Sequence, residues 1–552
     1  MELAPRSRAL LARALAALAA LAGFGLTVGE AAGQQQLIKL LASDGTAYQG
    51  LGHSVSASGE LALVGASGDN QMGVASGAAY VFDVGTGEQL FKLTASDARP
   101  QDYFGLSVAI SGELAVVGAH GSDAAGPGAG AAYVFDAGTG RELFKLMPSE
   151  LAAGDKFGRS VAISGDLGVV GAPGHDHLAP DSGAAWVFHA TDGSLWPMLV
   201  AMDGATGDGL GGSVAISGER AVVGAPVADA AGTNSGAAYV FDTNTGQQLF
   251  KLLSSDIAPN DLFGGSVAAA GGRALVGALE ADGDWGAAYL FDLATGQQLF
   301  KLAAPNDGGV HWFGVSVALS GDRAVVGDLA AGQTGSGKAY VFDVLTGQLL
   351  YDLEPLDGAL GDRFGTSVAL SGARALAGAP WDDDLGTSSG SAYVFDVPQT
   401  TGSAYCFGDG SGSACPCGNP GGAGQGCANS TGAGALLWAA GSPSASADEL
   451  VLYAAELVPA QPALLFAGLN AVGGGDGAPL GDGLRCAGGG VVRLGVALPT
   501  LGGAAIWGPG LAERGGFVAG DLRRFQAWYR DPAGPCASGA NLSNGLEVFF
   551  AP

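Results

Sequence analysis

The sequence predicts an all-β protein: a seven-bladed β-propeller followed by a disulfide-bonded, β-sandwich-like C-terminal domain. Three observations predict it. A block of about fifty residues recurs seven times. Each block holds four short apolar runs separated by Gly and Asp turns. All six cysteines fall after the last block. Composition sets the outer limits. Of 552 residues 98 are Gly, but Gly does not recur at every third position, which excludes collagen. Apolar residues make up 48% and charged residues 14%, so there is apolar surface enough for a core. Acidic residues outnumber basic ones 52 to 24, a net charge of -28 with no basic run. Phosphate backbones and anionic membranes are repelled by such a chain, so no nucleic-acid partner is expected.

The first element reads as an export signal. Arg6, Arg8 and Arg13 precede an apolar run from Ala14 to Val28, and the small residues Gly29, Ala31, Ala32 and Gly33 follow. The run is short of the ~20 residues of a membrane span. Residues 1–33 are therefore expected to be a signal peptide, with no membrane span after its cleavage. The protein is expected outside the cell or in its envelope.

Residues 34–398 carry the blocks. A motif FGxSVAxSGxxAxVGA begins at Leu51, Phe104, Phe157, Leu210, Phe263, Phe313 and Phe364. In phase with it, GAAYVFD places an aromatic at Tyr80, Tyr133, Trp186, Tyr239, Tyr289, Tyr340 and Tyr393. LFKL or a variant begins at Leu37, Leu90, Leu143, Leu195, Leu249, Leu299 and Leu349. Alternating and β-branched residues between Gly-bearing turns favour strands, four to a block. Asp-x-x-Thr-Gly, as in Asp242 to Gly246, suits a hairpin because Asp bonds its own turn and Gly supplies positive φ. The LFKL segment comes first, and the last block ends at Asp396 without one. The N-terminal strand can thus complete blade seven and close the ring, which removes open sheet edges.

The segment from Phe157-Gly158 to Gly171-Ala172-Pro173 resembles the FG-GAP repeat, the blade of integrin α-subunit propellers and of many secreted bacterial proteins. Gly224-Ala225-Pro226 and Gly378-Ala379-Pro380 repeat the GAP. The resemblance covers about residues 37–398 and implies a secreted, integrin α-like propeller that works in adhesion or protein interaction. Integrin-type blades often bind calcium between strands one and two. Here that loop is only Ser-Gly-Asp or Ser-Gly-Glu, as at Ser164 to Asp166. One carboxylate cannot supply calcium's six to eight oxygens, so that site is not carried over.

The loops before strand one and after strand two open on the same face of a propeller. The first set carries acidic pairs in register: Asp97/Asp102, Glu150/Asp155, Asp203/Asp208, Asp256/Asp261 and Asp357/Asp362, with Asp44 and Asp307 as single members. With the second set, 24 carboxylates map to this face, against few basic residues such as Arg99, Lys156 and Arg363. Turn capping and solubility account for most of such a face. The densest groups, Glu280/Asp282/Asp284 and Asp382/Asp383/Asp384, are the candidates for weak calcium binding or for a cationic partner. No other cofactor is expected.

Motifs that imitate catalytic signatures fall on the wrong elements. Residues 332–338 imitate a phosphate loop but lack its Ser or Thr and precede a strand. Residues 386–390 fit G-x-S-x-G without the strand–turn–helix elbow. His175, Asp176 and His177 form a loose metal-like cluster best read as a polar loop. Residues 409–413 match a D-x-S-x-S adhesion pattern outside its proper α/β setting. The Asp-x-x-Thr-Gly-x-x-Leu-Phe stretch is also similar to quinoprotein propeller repeats, but Phe stands where those carry a docking Trp, and residues 37–398 hold no Cys.

Residues 399–403 read as a linker and 404–552 as a β-rich domain. In an exported protein Cys406, Cys415, Cys417, Cys427, Cys486 and Cys536 favour disulfides over zinc. Two bridges are expected within 406–427 and a third from Cys486 to Cys536. The domain resembles a C-terminal module of exported bacterial repeat proteins. The whole chain reads as an exported, non-enzymatic propeller that binds a protein or glycan partner at the cell surface. The alternatives are a surface-layer or matrix protein and, behind it, a quinoprotein-like enzyme.

Overall fold

The computed structural model describes residues 36–305, 311–331, 335–344, 347–397, 403–408, 413–422, 425–440, 443–445, 448, 450–500 and 502–550. The expected signal peptide, Asp307 and residues 399–402 of the linker lie outside the described residues, as does the side chain of Asp284. No described helix is long and apolar enough to cross a membrane.

Seven four-stranded antiparallel sheets occupy 36–396. In blade 1, Ser54–Ser58, Leu61–Ala66, Ala78–Asp83 and Gln89–Leu93 pair in that order. Blades 2 to 6 repeat it, starting at Ser107, Ser160, Ser213, Ser266 and Phe313. In blade 7, Ser367–Ser371, Arg374–Ala379 and Ser391–Asp396 are completed by Gln36–Leu40, which sets Lys39 opposite Tyr393. Innermost strands of successive blades touch, and the seventh touches the first, so the ring is closed. The two middle strands are buried on both faces by the adjoining blades. That is why AAYVFD reads as an unbroken apolar run rather than an alternation.

The two halves of the repeat meet between blades. The Ser54 hydroxyl donates to the Gly105 carbonyl at 2.8 Å. The same bond recurs around the ring and closes from Ser367 to Gly52 at 2.8 Å. A Cβ on Gly118 would lie 2.0 Å from the Gly158 oxygen, so the GA glycine is required by close backbone approach. Phe104 is fully buried and packs edge-on against Tyr133 and Phe135. The turn into the fourth strand is held by Asp83, whose carboxylate accepts from the Thr86 amide at 2.7 Å.

The C-terminal region forms two main sheets and two short two-stranded ones among the described residues. The larger runs Ser403–Tyr405, Gly545–Phe549, Leu522–Asp531, Ala463–Gly468, Val492–Ala497, with Gly539–Leu542 also on Leu522–Asp531. The smaller runs Leu436–Ala440, Val451–Ala455, Ala505–Trp507. Leu437 and Leu452 of the small sheet share one core with Leu465, Phe525 and Leu546 of the large one, a sandwich arrangement. The disulfides correct the expected pairing. They join Cys406 to Cys486, Cys415 to Cys427 and Cys417 to Cys536. Only one bridge stays within 406–427. Cys406 follows the short strand Ser403–Tyr405, and the Tyr405 hydroxyl donates to the Cys486 carbonyl, which brings those two cysteines together. Cys536 is left to the Cys417 loop.

Candidate functional site

The loop face is built from the repeat upward. Tyr of the third strand and Lys of the fourth stand opposite in register: Tyr80 with Lys92, Tyr133 with Lys145, Tyr239 with Lys251, Tyr289 with Lys301. They therefore project from the same side of the sheet. The first acidic residue of the preceding loop reaches both. Asp44 accepts from the Tyr80 hydroxyl at 2.8 Å and from Lys92 at 2.6 Å. Asp97 does the same with Tyr133 and Lys145, at 2.8 and 2.6 Å. Asp203 and Asp256 take Lys251 and Lys301, each at 2.6 Å. The ammonium groups lie over the tyrosine rings, as Lys145 does at 5.1 Å from the Tyr133 centroid. Burial opposes ionisation of Asp44, Asp97, Asp203 and Asp256, but donation from Lys and Tyr outweighs it and holds these carboxyls below their usual range. Burial keeps the tyrosines protonated.

The second acidic residue of each pair does another task. Asp102, Asp155, Asp208, Asp261 and Asp362 each accept from the backbone N–H three residues earlier. Burial pushes Asp102, Asp208, Asp261 and Asp362 up. After strand two, Asp123, Asp176, Asp229 and Asp383 each accept from the N–H five residues later. Most of the acidic register is thus loop architecture.

The face is also less one-sided in charge than the sequence suggests, because the LFKL lysines reach it. Lys39 lies 2.7 Å from Asp357, 2.8 Å from Asp382 and 2.6 Å from Asp384. Lys301 lies 2.7 Å from Asp282. Each group singled out for calcium therefore has at least one carboxylate already paired with an ammonium. Asp383 turns to the Ser388 amide, and Glu280 lines a hollow of about 370 Å³ with Asp256, Asp261 and Asp282. Among the described residues no group of three or more His, Cys, Asp or Glu is placed to hold a metal. The missed signal was regular: Asp and Lys recur 48 residues apart at Asp44/Lys92, Asp97/Lys145 and Asp203/Lys251.

Two blades rewrite the pattern with compensating changes. In blade 3, Met198 stands opposite Trp186, and Glu150 accepts from the indole N–H at 3.1 Å. His175, of the metal-like cluster, instead pairs with buried Asp155 at 2.9 Å. In blade 6, Asp352 takes the lysine position and Lys338 answers it from the third strand at 2.8 Å. Lys338 begins a strand, which removes the phosphate-loop reading, and Ser388 sits in a loop that feeds a strand. Residues 409–412 of the adhesion-like pattern lie outside the described residues.

Apolar groups break through this polar frame around blades 7 and 1. Tyr48 is 67% exposed, Leu356 84%, Leu360 81% and Trp381 47%. Tyr48 and Trp381 line a hollow of about 410 Å³ with Gln49, Ser67 and Ser388. His53 borders it and also lines the axial channel, as do the residues that follow five of the other six FG positions: Leu106, Arg159, Gly212, Gly265 and Val315.

Residues 35–82, 88–135, 141–188, 198–241, 247–291, 297–342 and 351–395 match the family model of the FG-GAP repeat. No curated protein matches the chain.

Proposed function

The chain belongs to the FG-GAP repeat family, and from that premise we propose that it is an exported, non-enzymatic propeller whose loop face binds a protein or glycan partner at the cell surface. Propellers of this family typically bind proteins. The observation that carries the reading is the exposure of Tyr48, Leu356, Leu360 and Trp381 on neighbouring loops braced by carboxylate caps, with Tyr48 and Trp381 lining one hollow. Exposed apolar side chains on a rigid, polar-rimmed frame are the composition of a binding surface. Export is supported by six cysteines all paired in disulfides.

The test is capture from the cell envelope by immobilised full chain, beside a Leu356→Ser/Leu360→Ser/Trp381→Ser variant of unchanged melting temperature. A partner held by the parent chain and lost by the variant supports the reading. Equal capture by both removes the loop face as the binding surface. Concentration-dependent self-association without a partner supports the surface-layer or matrix alternative.

A further inference from the structure

Two carboxyl groups are sealed inside the C-terminal domain with no counter-ion. Asp482 and Asp531 are both 0% exposed. The Asp482 Oδ2 and the Asp531 Oδ1 have no hydrogen-bond partner. Neither residue makes an ion pair among the described residues. The two carboxyls lie together: a Cβ on Gly534 would stand 1.8 Å from the Asp482 Oδ2 and 2.8 Å from the Asp531 Oδ2.

Four segments build this place. Asp482 sits at the tip of the hairpin of Ala478–Leu480 and Gly483–Arg485, and its N–H donates to the Ala540 carbonyl at 2.9 Å. Asp531 ends the strand Leu522–Asp531 and stands opposite Gly539. The Ser430 amide donates to the Asp531 Oδ2 at 2.9 Å, and the Ser538 amide donates to the Asp482 Oδ1 at 3.2 Å. The Asn419 side-chain amide donates to the Asp482 carbonyl at 3.2 Å, and the Cys417–Cys536 bridge ties that segment to the loop of Gly534. Each carboxyl thus spends one oxygen on a backbone amide and leaves the other free, with its neighbour beside it.

A buried carboxylate without a partner is costly, and two side by side cost more, unless a cation joins them. Unsatisfied buried oxygens of this kind point to an ion or a water that completes them. Residues 404–552 contain no His, and all six cysteines are in disulfides. The place therefore offers oxygen alone, which selects a hard cation. Magnesium gives up its water reluctantly. Calcium accepts carboxylates and backbone carbonyls in flexible geometry, which suits a site closed to solvent.

We propose that Asp482 and Asp531 hold a calcium ion inside the C-terminal domain, with backbone carbonyls of the four segments and water completing its shell. The ion is independent of the loop-face reading. It is enclosed as these loops fold and leaves only when they open. The chain folded in calcium is therefore already loaded, and calcium added later meets a filled site.

Elemental analysis of the full chain, folded in calcium and dialysed free of it, tests this. About one calcium per chain is expected to stay. Unfolding in EDTA with the disulfides intact, then refolding without calcium, is expected to remove it and to lower the melting temperature by more than about 5 °C. Refolding with calcium is expected to restore both. Asp482→Asn and Asp531→Asn are each expected to keep less than about a tenth of the parent's calcium. Asp282→Asn, in the propeller, is expected to keep all of it. A parent that holds no calcium, or that melts alike after EDTA with and without it, overturns the proposal and leaves the two carboxyls to a shared proton or a water. Loss of the ion in Asp282→Asn, or its retention in both C-terminal variants, places it elsewhere and overturns the proposal as well. The parent measurements need no variant, so a variant that fails to fold leaves the test intact.

Discussion

The ammonium of Lys39, from the first strand of the chain, lies 2.8 Å from the carboxylate of Asp382 in the last blade. The bond lies across the closure of the ring, because Lys39 belongs to the strand that completes blade 7. Its partners are largely out of water, with 14% of the Lys39 and 4% of the Asp382 side chain exposed. Lys39→Gln leaves Asp382 buried without a counter-charge and is expected to cost about 3 kcal/mol. Lys251→Gln removes the matching lysine of blade 4, whose partner Asp203 is half exposed, and is expected to cost under about 1 kcal/mol. Urea denaturation of the two variants compares them. Equal losses would mean that closure depends on the backbone pairing of Gln36–Leu40 alone.

The acidic loops give the stability of the propeller a maximum in mild acid. Asp44, Asp97, Asp203, Asp256 and Asp382 are held below 3.8, so their stabilisation is present above that value and is lost as pH falls through their folded values. Asp102, Asp208, Asp261 and Asp362 are held above 3.8 by burial. The folded chain binds their protons more tightly, so stability falls as pH rises from 3.8 through their folded values. The two groups oppose each other on either side of the maximum. Self-repulsion of the -28 chain adds to the decline at higher pH. Melting temperature is expected to peak near the ordinary carboxylate value of 3.8 and to fall on both sides. A melting temperature still rising at neutral pH would show that the buried aspartates do not matter.

The seam between blades separates two kinds of glycine. Gly112 has φ +58 with open space where a Cβ would go, so Gly112→Ala pays only the backbone strain, about 1 kcal/mol. Gly118 meets the Gly158 carbonyl at 2.0 Å from an added Cβ, and backbone cannot swing aside as a side chain does. Gly118→Ala is expected to cost more than about 3 kcal/mol, because blades 2 and 3 must part. Differential scanning calorimetry of both variants measures the contrast.

The architecture was legible because a propeller writes each blade in the same letters. Leu37 before the first FG motif and a last block that ends at Asp396 without an LFKL segment were enough to infer ring closure. The loop face was legible only as acid. Lys92 looked like one letter of an amphipathic strand, and nothing in its neighbours says that it reaches Asp44, which depends on the register of Tyr80 with Lys92 across a bulged pair. Blade 3 shows the same limit, since Met198, Trp186 and Glu150 read as noise until they are seen to face one another. The disulfide pairing was not legible at all. It follows from which loops the large sheet brings to Cys406 and Cys417, a matter of tertiary placement.

Calcium at the loop face is a question of what already fills the site. Lys39 sits among Asp357, Asp382 and Asp384, and a divalent ion must displace its ammonium before it reaches three carboxylates. Calcium also needs six to eight oxygens, and Asp382 spends one of its two on the Asp384 amide. The parent chain is therefore expected to show no heat of binding and no thermal shift at about 5 mM calcium. Lys39→Gln frees the three carboxylates, so calcium is expected to raise the melting temperature of that variant while leaving the parent unmoved. Calorimetry and thermal melts of both proteins, with magnesium as the control, decide it. A calcium shift in the parent that matches the variant would show that the ion binds elsewhere on the face, with the hollow of Glu280, Asp261 and Asp282 the first place to substitute.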